Sequence, residues 1–187
     1  EDVAHTEEEI RVLMEESHRQ GFIDKTELEF VDNVFDFADL SVREIMIPRT
    51  DMICLDLEDS VEESIETAME ERLTRYPICD GGKDNIIGFL HIKDFLQTLY
   101  KKEEPDLRKL ARHALVVPEA MAVSRLLQTM QQERSQLAVV VDEYGGTAGM
   151  VTIEDVIEEI VGDIQDEFDT DRPLVEKKGA CLYSVDA

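Results

Sequence analysis

The sequence predicts an α/β (α+β) chain, with a helical hairpin followed by two β-α-β-β-α repeats packed as a pseudo-symmetric pair. Three observations carry this expectation. The first is a change of pattern after Ser41, where helical apolar spacing gives way to short apolar runs alternating with helical stretches. The second is an internal repeat. Met69 and Met130, Thr74 and Ser135, Ile78 and Val139, Gly88 and Gly149, Ile92 and Ile153, and Asp94 and Asp155 are pairs of like residues, each 61 positions apart. An offset held across helix, strand and turn signals means two copies of one supersecondary unit. Only the loop between the second and third strands slips, by one residue, where Asp80 matches Asp142. The third is size: a unit of about 55 to 60 residues buries too little to be comfortable alone, so the copies are expected to pack face to face.

The elements follow in order. Thr6 with Glu9 has capping-box spacing, and Ile10, Leu13 and Met14 then form an apolar stripe ending near Gly21. Asp24 with Glu27 opens a second helix carrying Leu28, Val31, Val34 and Phe35, and the apolar side of this hairpin is expected to be buried. Each repeat then begins with an extended stretch, Met52 to Leu57 or Ala114 to Val117. A helix follows, with Val61, Ile65, Ala68 and Met69 matched by Val123, Leu126, Leu127 and Met130. The strands Tyr76 to Cys79 and Leu137 to Val141 are unbroken apolar runs, as expected for burial on both faces. Gly-containing turns, Asp80-Gly81-Gly82 and Asp142 through Gly146, lead to strands Ile86 to Leu90 and Ala148 to Val151. These run into helices starting near His91 and Thr152, the second continuing into a stretch from Glu154 to Asp169 with eight carboxylates and no basic residue. The resulting division is 1–40 helical segment, 41–104 first repeat, 105–168 second repeat, and 169–187 the start of a further domain. The chain therefore reads as a piece of a longer protein.

Composition narrows function. Among 187 residues, 43% are hydrophobic and 34% charged, a globular mixture, but 44 Asp and Glu against 19 Lys and Arg leave a formal charge of -25. Nucleic acid and anionic membrane surfaces, which need clustered cations, are disfavoured as partners. No apolar run is long enough to span a bilayer. Cys54, Cys79 and Cys181 are widely spaced, which fits a reducing compartment better than a disulfide framework or a zinc site. No nucleophile–base pair, metal triad or Gly-rich phosphate loop can be assembled, and Asp142 to Gly146 reads as a hairpin turn, so the chain is expected not to be an enzyme.

Gly88-Phe89-Leu90-His91-Ile92-Lys93-Asp94 and Gly149-Met150-Val151-Thr152-Ile153-Glu154-Asp155 resemble the Gly-φ-φ-Thr-x-x-Asp ending of cystathionine-β-synthase-type (CBS) domains, where φ is apolar. Val42 through Thr50, Thr74-Arg75-Tyr76-Pro77, Val141 through Gly146 and Val151 through Ile164 extend the likeness to the CorC/HlyC family, hemolysin-like magnesium and cobalt efflux proteins similar to the CNNM transporters. The resemblance covers about residues 6 to 170 and is specific because several separated motifs agree in order. It implies a tandem CBS (Bateman) module on the cytoplasmic face of the cell membrane, serving a transmembrane transport domain of the same chain. It also implies a homodimer formed through the CBS modules, and 169–187 as the start of a CorC/HlyC-type C-terminal domain.

A CBS pair typically binds an adenosine nucleotide, ATP or AMP, between its repeats, and the resemblance carries that role onto Ile47, Arg75, Tyr76, Pro77, Ile78, Thr152 and Asp155. The residue types suit it. Thr152, where strand becomes helix, offers a hydroxyl near free backbone N–H groups for phosphate. Asp155 can accept from both ribose hydroxyls. Arg75 can meet a phosphate with a bidentate fork. Ile47, Tyr76, Pro77 and Ile78 would give adenine apolar surface and backbone hydrogen bonds, although CNNM relatives carry Thr where Ile47 stands. Thr152 with Asp155 would equally serve as a helix cap without any ligand. The pseudo-symmetric second site would use His91, Asp94, Ser135, Gln136 and Leu137. There His91 replaces the expected Thr and Gln136 matches Arg75, so that site is expected to be weak or empty. Mg²⁺ is expected to arrive with the nucleotide rather than to bind the carboxylates of Glu158, Glu159, Asp163, Asp166 and Glu167, which read as a solvated face.

Overall fold

The computed structural model describes residues 5–162, together with the backbone of residues 175–177 and 183–185. Helix α1 (Glu7–Arg19) opens on a capping box: the Thr6 hydroxyl accepts from the Glu9 N–H while the Glu9 carboxylate accepts from the Thr6 N–H. The chain reverses at Gly21, with φ of +78°, and Asp24 and Glu27 repeat the box at the start of α2 (Lys25–Asp39). Arg11 ties the two helices, donating to Asp32 at 3.1 Å and Asp36 at 2.8 Å. The expected burial of this hairpin is only partly realised. Phe37 is buried, but Ile10, Leu13 and Val34 remain exposed, because α2 lays one side on the second repeat and α1 packs on α2.

A single turn, α3 (Val42–Ile45), and a two-residue strand, β1 (Ile47–Pro48), lead into the first repeat. That repeat comprises β2 (Leu55–Asp56), α4 (Val61–Glu71), β3 (Arg75–Cys79), β4 (Ile86–His91) and α5 (Ile92–Tyr100). After α6 (Leu107–Leu110), the second repeat comprises β5 (Leu115–Pro118), α7 (Val123–Glu133), β6 (Leu137–Val141), β7 (Thr147–Thr152) and α8 (Ile153–Val161). In both repeats the first strand runs parallel to the second and the second antiparallel to the third. Strands β8 (Val175–Lys177) and β9 (Tyr183–Val185) pair antiparallel. Helix α8 ends before Gly162, whose φ is +72°; the rest of the acidic stretch, from 163, lies outside the described residues. Among the described residues no helix is long and apolar enough to cross a membrane.

The ladders correct the repeat offset. Ile78 pairs with Gly88 and Val140 pairs with Gly149, so the structural equivalent of Ile78 is Val140, not Val139. Arg72 and Arg134, both in the left-handed conformation, close α4 and α7 at the same shifted spacing. Ala68 therefore matches buried Met130, while Met69 is exposed. The one-residue slip falls between the second and third strands, and everything before it is displaced from the 61-residue frame. Arg75 then has Leu137 as its counterpart, and Gln136 is the counterpart of Thr74.

The repeats interlock. Strand β1 leaves its own repeat to pair with β7, completing a four-stranded sheet in the order β1-β7-β6-β5. Symmetrically, Arg112 bridges Phe89 of β4, beside the three-stranded sheet β2-β3-β4. These crossings explain two glycines: a Cβ on Gly149 would collide with the carbonyl oxygen of Ile47, and one on Gly88 with that of Arg112. One apolar cluster fills the first repeat, including Leu55, Tyr76, Leu90 and Phe95. A second fills the other repeat and takes in Phe37 and Val42. A third joins the repeats through Met52, Phe89, Leu137, Val139 and Met150.

Candidate functional site

Strand β7 delivers the chain to the N-terminus of α8, where Thr152 is the N-cap. Its hydroxyl donates to Asp155 Oδ2 at 2.7 Å and accepts from the Asp155 N–H at 3.3 Å, and its N–H donates to the same Oδ2 at 2.6 Å. The capping arrangement foreseen for this pair is thus formed. It engages one carboxylate oxygen, and no hydrogen bond from a described residue reaches Asp155 Oδ1. Ile47, half-buried on β1, lies opposite Met150, two residues before the cap.

Arg75 begins β3 opposite His91 and reaches across the boundary between repeats. Its Nε and Nη2 donate to Gln136 Oε1 at 3.0 and 2.8 Å, and its Nη1 donates to Glu154 Oε1 at 2.8 Å. The Arg75 side chain is only 10% exposed, against 59% for Glu154. A guanidinium with little water around it is thereby held against Glu154 in the first turn of α8, the turn that also carries Asp155 and follows the Thr152 cap. A nearly buried cation of this kind requires a counter-charge, which Glu154 supplies here.

Tyr76 and Ile78 do not fulfil the expectation of apolar surface for a base. Both are fully buried in the core of the first repeat, and the Tyr76 hydroxyl accepts from the Leu73 N–H and donates to the Ala68 carbonyl. Strand alternation is the reason: Arg75 and Pro77 share the other face. Pro77 is itself buried.

Of the second set of residues, Ser135 and Gln136 line a separate opening, whereas His91, Asp94 and Leu137 do not. A cavity of about 300 Å³ is lined by Phe89, Arg112, His113, Arg134, Ser135 and Gln136, among others. Asp94 is held by Arg112 at 2.6 Å. His91 caps α5, its Nδ1 accepting from the Lys93 N–H at 3.1 Å, and burial, with Arg75 and Arg112 nearby, lowers its pKa below the ordinary 6.5. The Ser135 hydroxyl donates to the Leu137 carbonyl, and the Leu137 side chain is fully buried between the repeats. Sequence reasoning missed Arg112, Arg134 and Glu154. Arg112 stands where Ile47 stands in the first cleft, and the paired glycines 88 and 149 were the available signal that a chain crosses at both places. Among the described residues no group of three or more His, Cys, Asp or Glu side chains is arranged to hold a metal ion.

Comparison with known proteins agrees with this architecture. The CBS domain family matches residues 42–101 and 107–162. The UPF0053 protein YugS of Bacillus subtilis strain 168 is 44% identical over 185 residues, covering 98% of this chain and 43% of that protein. The magnesium and cobalt efflux protein CorC of Pasteurella multocida strain Pm70 is 40% identical over 163 residues, 87% of this chain and 54% of CorC. The chain thus spans about half the length of the curated relatives it matches. Among solved structures, the CBS domain of a bacterial CNNM/CorC family Mg²⁺ transporter in complex with ATP superposes with a TM-score of 0.69 at 36% identity, covering 74% of this chain and 99% of that one.

Proposed function

The chain belongs to the CBS-domain family, as a tandem pair of such domains, and from that premise we propose that it is a regulatory module binding an adenosine nucleotide, ATP with Mg²⁺, to control a magnesium or cobalt transport protein. The observation that carries this reading is Arg75: one nearly buried guanidinium aimed from the first repeat at the first turn of α8 in the second. Thr152 and Asp155 stand in the same turn, so the groups that would meet a phosphate and a ribose are carried by one helix start. The α8 N-terminus and Arg75 would hold phosphate. Asp155 would accept from the ribose hydroxyls, and the neighbourhood of Ile47 would face the base. Mg²⁺ bound to the phosphates would lower the ligand's negative charge, which matters in a chain of formal charge -25.

Occupancy would bridge the repeats and shift the population of module geometries passed to an attached transport domain. That domain, a cytoplasmic location and a homodimer are parts of the same proposal. The dimer has a specific support in the exposed Met69 on α4 and in Leu96 and Tyr100 on α5, apolar side chains on the helices of the first repeat. They also favour a second reading, a nucleotide-independent dimerisation scaffold.

Isothermal titration with ATP, with and without Mg²⁺, separates the two. The expected result is saturable binding without turnover, weakened about tenfold or more by Asp155→Ala, a loss on the order of 1.4 kcal/mol. Absence of binding, or equal affinity in the variant, would sink the site assignment. A concentration-dependent dimer indifferent to every adenosine ligand would favour the scaffold.

A further inference from the structure

We propose that Glu154 is an internal anion that occupies Arg75 when no nucleotide is bound, so that phosphate enters only by displacing the Glu154 carboxylate. This rests on the nucleotide reading above and concerns how that cleft is regulated.

The cap of α8 does not need Glu154. Thr152 and Asp155 complete the capping box between themselves, and Asp155 already supplies an acidic group to the first turn. The Glu154 carboxylate instead accepts from Arg75 Nη1, 79 residues away in sequence. The other edge of the guanidinium, Nε and Nη2, is held by the neutral amide oxygen of Gln136. Arg75 is thus kept in place by one uncharged partner and neutralised by one charged partner, and only the charged one resembles a phosphate.

The difference in exposure makes the exchange one-sided. Arg75, at 10% exposure, is costly to leave without a counter-charge, so some anion must sit against it at all times. Glu154, at 59% exposure, returns to water with little loss when displaced. Swapping a carboxylate for a phosphate on one guanidinium edge leaves the Gln136 hydrogen bonds intact. It also releases the ion pair that ties β3 of the first repeat to α8 of the second. Entry of the ligand and a change in the contact between repeats are therefore one event.

The competition has a chemical signature. It acts on any ligand that brings a phosphate to Arg75 and leaves adenosine, which brings none, untouched. Isothermal titration of the full chain with ATP and with adenosine, at fixed Mg²⁺ and ionic strength, reads it directly. Glu154→Gln is expected to bind ATP roughly two- to fivefold tighter than the unaltered chain, the scale of releasing a partly exposed ion pair. Glu154→Ala should do the same, and adenosine affinity should stay within about twofold. Glu158→Gln, which removes one exposed charge from the same helix, should leave ATP affinity unchanged. In an Arg75→Gln background Glu154→Gln should have no effect. ATP binding by the unaltered chain with no gain in either Glu154 variant overturns the gate and leaves the nucleotide reading standing. An equal gain from Glu158→Gln, or an equal gain for adenosine, also overturns it, since bulk charge would then be the cause. Failure of every protein to bind ATP overturns both.

Discussion

His91 shows how one side chain sets the charge at the start of a helix. It stands where the other repeat has Thr152, caps α5 through Nδ1, and faces Arg75, Arg112 and Lys93 with Asp94 as its one acidic neighbour. Burial and then these cations hold its pKa below 6.5, which favours the neutral ring and weakens any attraction for phosphate. The linkage has a definite sign. Between the ordinary value and the depressed folded value the unfolded chain binds the proton first, so stability falls as pH drops below about 6.5. Proton NMR titration is expected to place His91 below 6.5, and Arg112→Gln to move it upward. A value above 6.5 in the unaltered chain would contradict the packing described. Cys79 is perturbed in a different direction: burial, together with Asp56 at 3.3 Å, pushes its thiol up to about 12. A thiol of this kind is inert towards oxidants at neutral pH.

At the scale of elements, α2 does for the second repeat what nothing described does for the first. Phe37 enters the second core beside Val123, Leu126 and Val156, and Asn33 Nδ2 donates to the Ile160 carbonyl in the last turn of α8 at 3.2 Å. The helix that follows Thr152 and carries Asp155 is therefore braced by α2. Phe37→Ala is expected to cost about 3 kcal/mol in urea unfolding, the lower end for a buried Phe. A loss below about 1 kcal/mol would mean that α2 merely rests on the surface. The capping boxes of α1 and α2 could be read from spacing because each closes within four residues. Strand β1 could not. Two residues, Ile47 and Pro48, form a strand only because β7 offers them a free edge about one hundred positions later.

At the scale of the whole molecule, each repeat is incomplete alone. The second sheet takes β1 from the chain preceding the first repeat, the first repeat takes a bridge from Arg112, and the third apolar cluster has residues from both. A peptide of residues 107–162 lacks β1, α2 and the Met52 and Phe89 side chains of that cluster, and is expected to show no cooperative thermal transition by circular dichroism. A sharp transition in that peptide would show that the interlock is dispensable.

The sequence by itself determined the helical hairpin, the two β-α-β-β-α repeats and the caps. Those features are written in local spacing and in a repeat too long to arise by chance. It also singled out Arg75, Thr152 and Asp155, whose chemistry is visible in residue type. The tertiary structure decided three other things. It moved the match of Arg75 from Gln136 to Leu137, it turned Tyr76 and Ile78 into the core, and it brought Gln136 and Glu154 against Arg75 and Arg112 against Asp94. The physical reason is the same throughout. Which face a strand buries depends on its neighbours in the sheet, and an ion pair between residues 79 apart forms only when packing brings two repeats together.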